Sequence, residues 1–146
     1  RRVERFLKGK PEFSRFLNMI QSMQRLWQEK LLVVDDDVII VNLLEAILED
    51  DGAKETAAHG EEGLKKVGEK YFAAIVTDVD MPVMDGIEFY KKAIKLYPNI
   101  KGRFLFFTGL SVEERLAFFR TNNLKYLMKP SPIADIKKAV INVIGQ

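Results

Sequence analysis

The chain of 146 residues predicts an α/β fold, a doubly wound parallel sheet with helices on both faces, and three observations carry that prediction. Short aliphatic runs alternate with helical patterns, the rhythm of successive βαβ units. The run Phe72-Ala73-Ala74-Ile75-Val76 is apolar throughout, as in a strand covered on both faces. Several of the runs end in residues that carry chemistry, and in open α/β sheets the C-terminal strand ends form the site.

The elements read in order as follows. Arg1 to Lys10 is polar and breaks at Gly9-Lys10-Pro11. A helix begins near Pro11, where Phe13, Phe16, Leu17, Ile20, Met23, Leu26 and Trp27 recur at helical spacing opposite a polar face. Leu31 to Val34 is a short strand ending in Asp35-Asp36-Asp37. Val38 to Glu49 places Ile39, Ile40, Leu43, Leu44, Ile47 and Leu48 on a helix, stopped by Asp50-Asp51-Gly52. Ala53 to Ala58 is a weak edge strand, His59-Gly60 a turn, and Glu61 to Lys70 a helix. The strand from Phe72 to Val76 then delivers Asp78 to a loop, because Pro82 cannot continue a central strand. Asp85-Gly86 caps a helix over Ile87, Phe89, Tyr90, Ala93, Ile94 and Leu96, closed before Pro98. Residues 103–107 are the fourth strand, stopping at Thr108-Gly109. Ser111-Val112-Glu113-Glu114 is a capping box for a helix with Leu116, Phe118 and Phe119. Tyr126 to Met128 is the fifth strand, leaving at Lys129-Pro130, and Ser131 is expected to cap a final helix to Ile144.

Composition narrows the function. With 47% hydrophobic residues the chain can bury a real core as one domain with a short appendage. It has no Cys, which excludes disulfides, thiolate zinc sites and cysteine nucleophiles and agrees with a cytoplasmic setting. No apolar run approaches the roughly 20 residues of a membrane span, so no membrane association is expected. The chain starts at Arg1 without Met and reads as a piece of a longer protein. The net charge of +2 hides an asymmetry, since residues 1–30 carry eight Lys/Arg against three Asp/Glu. Those cations are scattered along the segment, the pattern of a solvated helix face rather than of a nucleic-acid site. His59, the single His, is read as a turn residue because no second imidazole supports a metal or relay role.

The strand ends offer Asp35, Asp36, Asp37, Asp78, Asp80, Thr108 and Lys129. If they converge, carboxylates, a hydroxyl and an ammonium share a pocket, although on its own stretch Asp78 reads equally as a loop cap. Two carboxylates about 4 Å apart repel by about 4 kcal/mol at an effective dielectric of 20. A divalent cation relieves this, and oxygen ligands without His or Cys favour Mg²⁺, which bridges to phosphate oxygens. The pattern suggests phosphoryl chemistry.

The motifs Leu-Val-Val-Asp-Asp, Asp-Val-Asp-Met-Pro-Val-Met-Asp-Gly, Phe-Phe-Thr-Gly and Tyr-Leu-Met-Lys-Pro follow one another over roughly Leu31 to Ile144. In order and spacing this stretch resembles the response-regulator receiver domains of two-component signalling. The resemblance implies a flavodoxin-like, five-stranded parallel sheet of order 2-1-3-4-5, occupying residues 31–146. It implies that Asp78 accepts a phosphoryl group from a phosphohistidine on a sensor histidine kinase or histidine phosphotransfer protein. Asp35 and Asp36 would hold Mg²⁺ with Asp78 and the main-chain carbonyl of Asp80. Lys129 would be the fixed cation, Thr108 the hydroxyl that follows the phosphoryl group, Tyr126 the aromatic switch, and Lys129-Pro130 a cis bond. The domain would act as a signalling switch that assists its own phosphorylation and dephosphorylation, with Asp80 affecting the latter.

Two departures from the family pattern stand out. Residues 120–125 lack the small Gly-Ala pair usual before the fifth strand, and Gly63 replaces a commoner Ala. Asp78-Val79-Asp80 also looks like the nucleophile motif of haloacid-dehalogenase-type phosphatases, which would make the chain an Mg²⁺-dependent hydrolase using Asp78 and Asp80. Against this, that motif normally follows the first strand and its acidic pair comes later. A phosphorylation-silent interaction domain would need a damaged pocket, and the motifs are intact. Residues 1–30, outside the resemblance, carry an amphipathic helix whose Phe13, Ile20 and Trp27 lie seven apart with Phe16 and Met23 between. It reads as a linker or dimerisation element whose stripe is buried either against its own domain or against a second chain, and a homodimer seam through residues 11–30 is favoured because the short link to Leu31 leaves it little freedom to fold back over the sheet.

Overall fold

The computed structural model describes residues 9–28, 30–49, 53–109 and 113–145. The N-terminal helix α1 (Pro11–Gln28) is followed by β1 (Lys30–Val34), α2 (Val38–Ile47), β2 (Ala53–Ala57), α3 (Gly60–Glu69) and β3 (Ala74–Thr77). Next come α4 (Gly86–Leu96), a 3-10 turn (Pro98–Arg103), β4 (Phe104–Thr108), α5 (Glu113–Thr121), β5 (Lys125–Met128) and α6 (Ile133–Ile144). All strand pairs are parallel and their order is β2-β1-β3-β4-β5, as the resemblance implied.

Side chains alternate across a strand, and this chain uses both faces. Leu32, Val34, Ile75, Phe104 and Phe106 point to one side, where they meet Phe89, Tyr90, Ala93 and Phe119 from α4 and α5. Leu31, Val33, Val76, Leu105 and Phe107 point to the other, against Leu44 and Ile47 of α2 and Ile136, Val140 and Val143 of α6. Burial on both faces is why the central strands β1, β3 and β4 are apolar through most of their length, while the edge strand β2 carries Lys54, Glu55 and Thr56. The first core is aromatic: Phe119 lies 4.8 Å from Phe106 and 5.0 Å from Tyr126 between ring centroids.

The departures from the family pattern have local solutions. A Cβ at Gly63 would lie 3.0 Å from Phe89 Cζ, so glycine there makes room for the buried ring on α4. At the exit of α5, Asn123 adopts a left-handed φ of 52°, which asparagine tolerates better than most residues. Leu124 N then donates to Phe119 O at 2.8 Å and Asn122 Nδ2 to Phe118 O at 2.9 Å, closing the helix without the small pair.

Some expected boundaries are corrected. β3 starts at Ala74, not Phe72; Phe72 is buried ahead of the ladder. β4 is displaced by one residue because Arg103 ends the 3-10 turn, and α2 ends at Ile47. Ser131 does not cap α6, since its hydroxyl donates to Met128 O and Pro132 takes the cap position. His59 is more than a turn residue: its Nδ1 accepts from Glu62 N at 3.3 Å, and Glu62 reaches back to Ala58 N at 3.0 Å. The expected Asp50-Asp51-Gly52 stop and the Ser111 cap lie outside the described residues.

α1 forms as its periodicity predicts, but the described part of its apolar stripe is not buried on this chain. Phe16 is 54% exposed and Leu17 41%, while Phe13 and Ile20 are half-buried.

The start of α4 is the tightest junction of the fold. Asp85 caps it by accepting from Glu88 N at 2.8 Å, and Gly86 N donates to Val79 O at 2.8 Å. A Cβ on Gly86 would lie 1.9 Å from the Asp78 carbonyl oxygen, so a side chain there displaces backbone. Gly86→Ala is expected to destabilise the domain by about 3 kcal/mol, from overpacking against main chain. Asp85→Ala, which loses only the cap, should cost about 1 kcal/mol. Urea unfolding compares the two, and equal losses would contradict the close approach.

Candidate functional site

The sheet ladder runs past the strands and fixes two aspartates. Asp78 N donates to Val34 O at 2.8 Å, and Asp35 N to Ala57 O at 3.0 Å. On the neighbouring pair, Lys129 N donates to Thr108 O at 2.8 Å. Asp35, Asp78, Thr108 and Lys129 therefore stand side by side at the C-terminal edge of β1, β3, β4 and β5, as the sequence predicted. Asp35, Asp78 and Thr108 are all buried.

The side chains converge as well. Lys129 Nζ lies 2.8 Å from Asp35 Oδ2 and 3.5 Å from Asp78 Oδ2, and it sits 5.5 Å from the Phe107 ring centroid. The other oxygen of each carboxylate is held by main chain: Asp35 Oδ1 accepts from Asp37 N at 2.9 Å and Asp78 Oδ1 from Val79 N at 2.8 Å. Burial raises the pKa of the Asp78 carboxyl and the charge of Asp35 raises it further, while Lys129 opposes both.

The acidic triplet divides its labour. Asp37 caps α2, accepting from Ile39 N at 2.9 Å. Asp35 and Asp36 join Asp78, and one carboxylate oxygen from each lies within 4.8 Å of the other two. Mg²⁺ ligands about 2.1 Å from the metal span at most about 4.2 Å, so small side-chain adjustments bring these oxygens onto one ion. Three carboxylates beside one ammonium leave an uncompensated charge of about −2, which suits a hard divalent cation.

Asp80 stands apart from this cluster, and here sequence reasoning missed a residue. The Asp80 carboxylate accepts a bidentate pair from Arg115 of α5, with Nη1 to Oδ2 at 2.6 Å and Nη2 to Oδ1. The bond to Asp80 raises the Arg115 pKa, partly offset by burial. Arg115 reads in the sequence as one more polar position on a helix; its partner 35 residues earlier leaves no local signal. With its carboxylate engaged there, Asp80 is not placed as an acid for hydrolysis at Asp78.

The loop between Asp80 and Gly86 is shaped for the site. Val83 has a φ of 68°, rare for a β-branched residue, and Met84 N bends back to Pro82 O at 2.7 Å. Gly60 N at the start of α3 holds the loop through Met84 O at 3.0 Å. Tyr126 lies outside the carboxylate cluster, half-buried and stacked on Phe119. The Lys129-Pro130 peptide bond is cis.

Comparison with known proteins matches this geometry to a family. Residues 31–141 fit the model of the response regulator receiver domain. The probable chemotaxis protein CheY of Rhizobium etli is 35% identical over 122 residues, covering 80% of this chain and 92% of that protein. The transcriptional regulatory protein ZraR of Klebsiella oxytoca is 36% identical over 105 residues, 70% of this chain but 23% of the regulator. The crystal structure of a CheY-like receiver domain protein from Methanospirillum hungatei JF-1 superposes with a TM-score of 0.73 at 30% identity, covering 81% of this chain and 94% of that one. None of these relatives supports the phosphatase alternative. With its strand order, its aspartate cluster and this match, the chain belongs to the response regulator receiver domain family.

Proposed function

We propose that Asp78 accepts a phosphoryl group from a phosphohistidine and that the resulting acyl phosphate switches the conformation of residues 31–146. The observation that carries this reading is a buried carboxylate facing both a fixed ammonium and two further carboxylates suited to Mg²⁺. Asp78 Oδ1 is held by Val79 N, so Oδ2 is the oxygen presented to phosphorus. The new P–O bond forms as the donor P–N bond breaks, and the imidazole keeps that electron pair, leaving neutral once its other nitrogen is protonated. Asp35, Asp36, Asp78 and the Asp80 carbonyl would hold Mg²⁺, which supplies charge neutralisation for carboxylates and phosphoryl oxygens alike. Lys129, already between Asp35 and Asp78, moves its hydrogen bonds onto the phosphoryl oxygens. Thr108 turns its hydroxyl to the same group, and Tyr126 follows into the space vacated.

The rim of the pocket supports a protein donor. Val38 and Ile39, which follow the capping Asp37, are 69% and 76% exposed; Val83 on the loop after Asp80 and Ile133 at the start of α6 are exposed too. Apolar side chains around a charged pocket fit a helical protein that presents its phosphohistidine from a hydrophobic face. A sensor histidine kinase or histidine phosphotransfer protein, acting in the cytoplasm, meets that description. Among the described residues no helix is long and apolar enough to cross a membrane. Residues 1–30 act as a separate element, in which the exposed stripe of α1 pairs with the same stripe of a second chain.

Incubation with acetyl phosphate and Mg²⁺ should add one phosphoryl group at Asp78, read by mass spectrometry. Asp78→Asn or excess EDTA should abolish it; full labelling in either condition contradicts the acceptor assignment. Thr108→Ala should still be labelled, yet the change in amide exchange that phosphorylation causes at α5 and Tyr126 should shrink. An undiminished change means that Thr108 is not the coupling residue. For α1, sedimentation across a concentration series should show dimers for the wild-type chain and monomers for Phe16→Glu/Leu17→Glu. Monomers in both would leave α1 as a linker.

A further inference from the structure

We propose that Arg115, paired with Asp80 in the unphosphorylated domain, is a second reader of the phosphoryl group and that it prolongs the life of the aspartyl phosphate. This rests on the reading of Asp78 as the acceptor. Asp80 lies two residues beyond Asp78 on the same loop, yet its carboxylate joins the guanidinium of α5 and not the cluster. Asp80, Asp85 and Asp78 all act on Arg115 electrostatically. Of the other charged groups of α5, Arg120 and Glu113 pair with each other at 2.6 Å, and Glu114 is exposed.

A guanidinium has five N–H donors, and the fork on Asp80 uses two of them. Phosphorylation replaces one carboxylate charge at Asp78 with about −1.5 to −2 and adds acceptor oxygens. Arg115 can then serve both anions, with one edge on Asp80 and the other toward the phosphoryl group. Hydrolysis requires a water oxygen to bond to phosphorus while the P–O bond to Asp78 breaks, the carboxylate keeping the electron pair and the water proton passing to the released phosphate. A guanidinium over the phosphoryl oxygens stabilises the acyl phosphate and occupies the α5 side of that approach. Arg115 accordingly acts on the acyl phosphate directly and sets its lifetime, distinct from the groups that carry out transfer.

The test uses the full chain, labelled with acetyl phosphate and Mg²⁺, freed of donor and followed by mass spectrometry as the label decays. Arg115→Ala should still accept the label and lose it about fivefold faster, the scale of a good partly exposed ion pair. Arg115→Lys should fall between, since it keeps the charge without the fork. Asp80→Asn releases Arg115 to the phosphoryl group, so its label should last as long as wild type or longer. A tether that only holds α5 in place predicts the reverse, with both Arg115→Ala and Asp80→Asn shortening the lifetime alike. That result overturns the proposal, as does a wild-type decay rate in Arg115→Ala. Should Arg115→Ala unfold, Arg115→Gln replaces it with the same expectation. If the wild-type chain takes no label, the acceptor reading fails first and this inference with it.

Discussion

The repulsion among Asp35, Asp36 and Asp78 is the constraint around which the domain is built. Carboxylates this close do not stay together on flexible loops, because each would turn to water. Here the parallel ladder prevents it: the main-chain nitrogens of Asp35 and Asp78 remain bonded to neighbouring strands, and the N–H groups of Asp37 and Val79 each hold one carboxylate oxygen. The Asp78 pKa is raised by burial first and by the charge of Asp35 second, and that rise records the cost of holding its carboxylate here. Folding disfavours its charged form, so the penalty is absent below the unfolded carboxyl pKa, grows across the interval up to the raised folded value, and is complete above it. Lys129 offsets part of the penalty, and a divalent cation would offset more.

Holding that penalty requires a stiff base, which the two cores provide. Every residue of β3 is buried on one face or the other, so the strand beneath Asp78 cannot retreat. Gly86 extends the same logic to the loop, since its backbone lies where any Cβ would strike the Asp78 carbonyl. Val83, with its left-handed φ, stores strain of order 1–3 kcal/mol next to the site, and the hydrogen bonds from Gly60 and Gly86 hold the loop against it.

The part of this site legible in the sequence is the part that rides on the strands. Asp35, Asp36, Asp78, Thr108 and Lys129 each follow an apolar run, and parallel topology alone brings such ends to one edge. What escaped was set by contacts in space. Arg115 carries no local mark of its ion pair, and the sequence of Asp80 does not say which way its side chain turns. Ser131 has the chemistry of a cap, yet its hydroxyl found the Met128 carbonyl first. The start of β3 was misplaced because Phe72 is buried without being paired, and burial is what an apolar run reports.

These contacts also explain why α5 is the element suited to respond. Its C-terminal part is anchored by Phe119, fully buried between Phe106 and Tyr126. Burying a side chain of that size contributes about 1.5–3 kcal/mol. Its first turn is held less firmly, because Glu113 and Glu114 are exposed, Leu116 is only partly buried against the core, and Arg115 holds on through an ion pair to the acceptor loop. A pair of partly exposed charges is worth about 1 kcal/mol or less and depends on the charges around it. On the proposed reading, new charge at Asp78 therefore acts on the weak end of the helix while Phe119 holds the strong end, and the ring stacked on Phe119 is Tyr126. A change in where Arg115 points would thus be delivered to β5 through the aromatic core, by rotation about a fixed contact rather than by unpacking it.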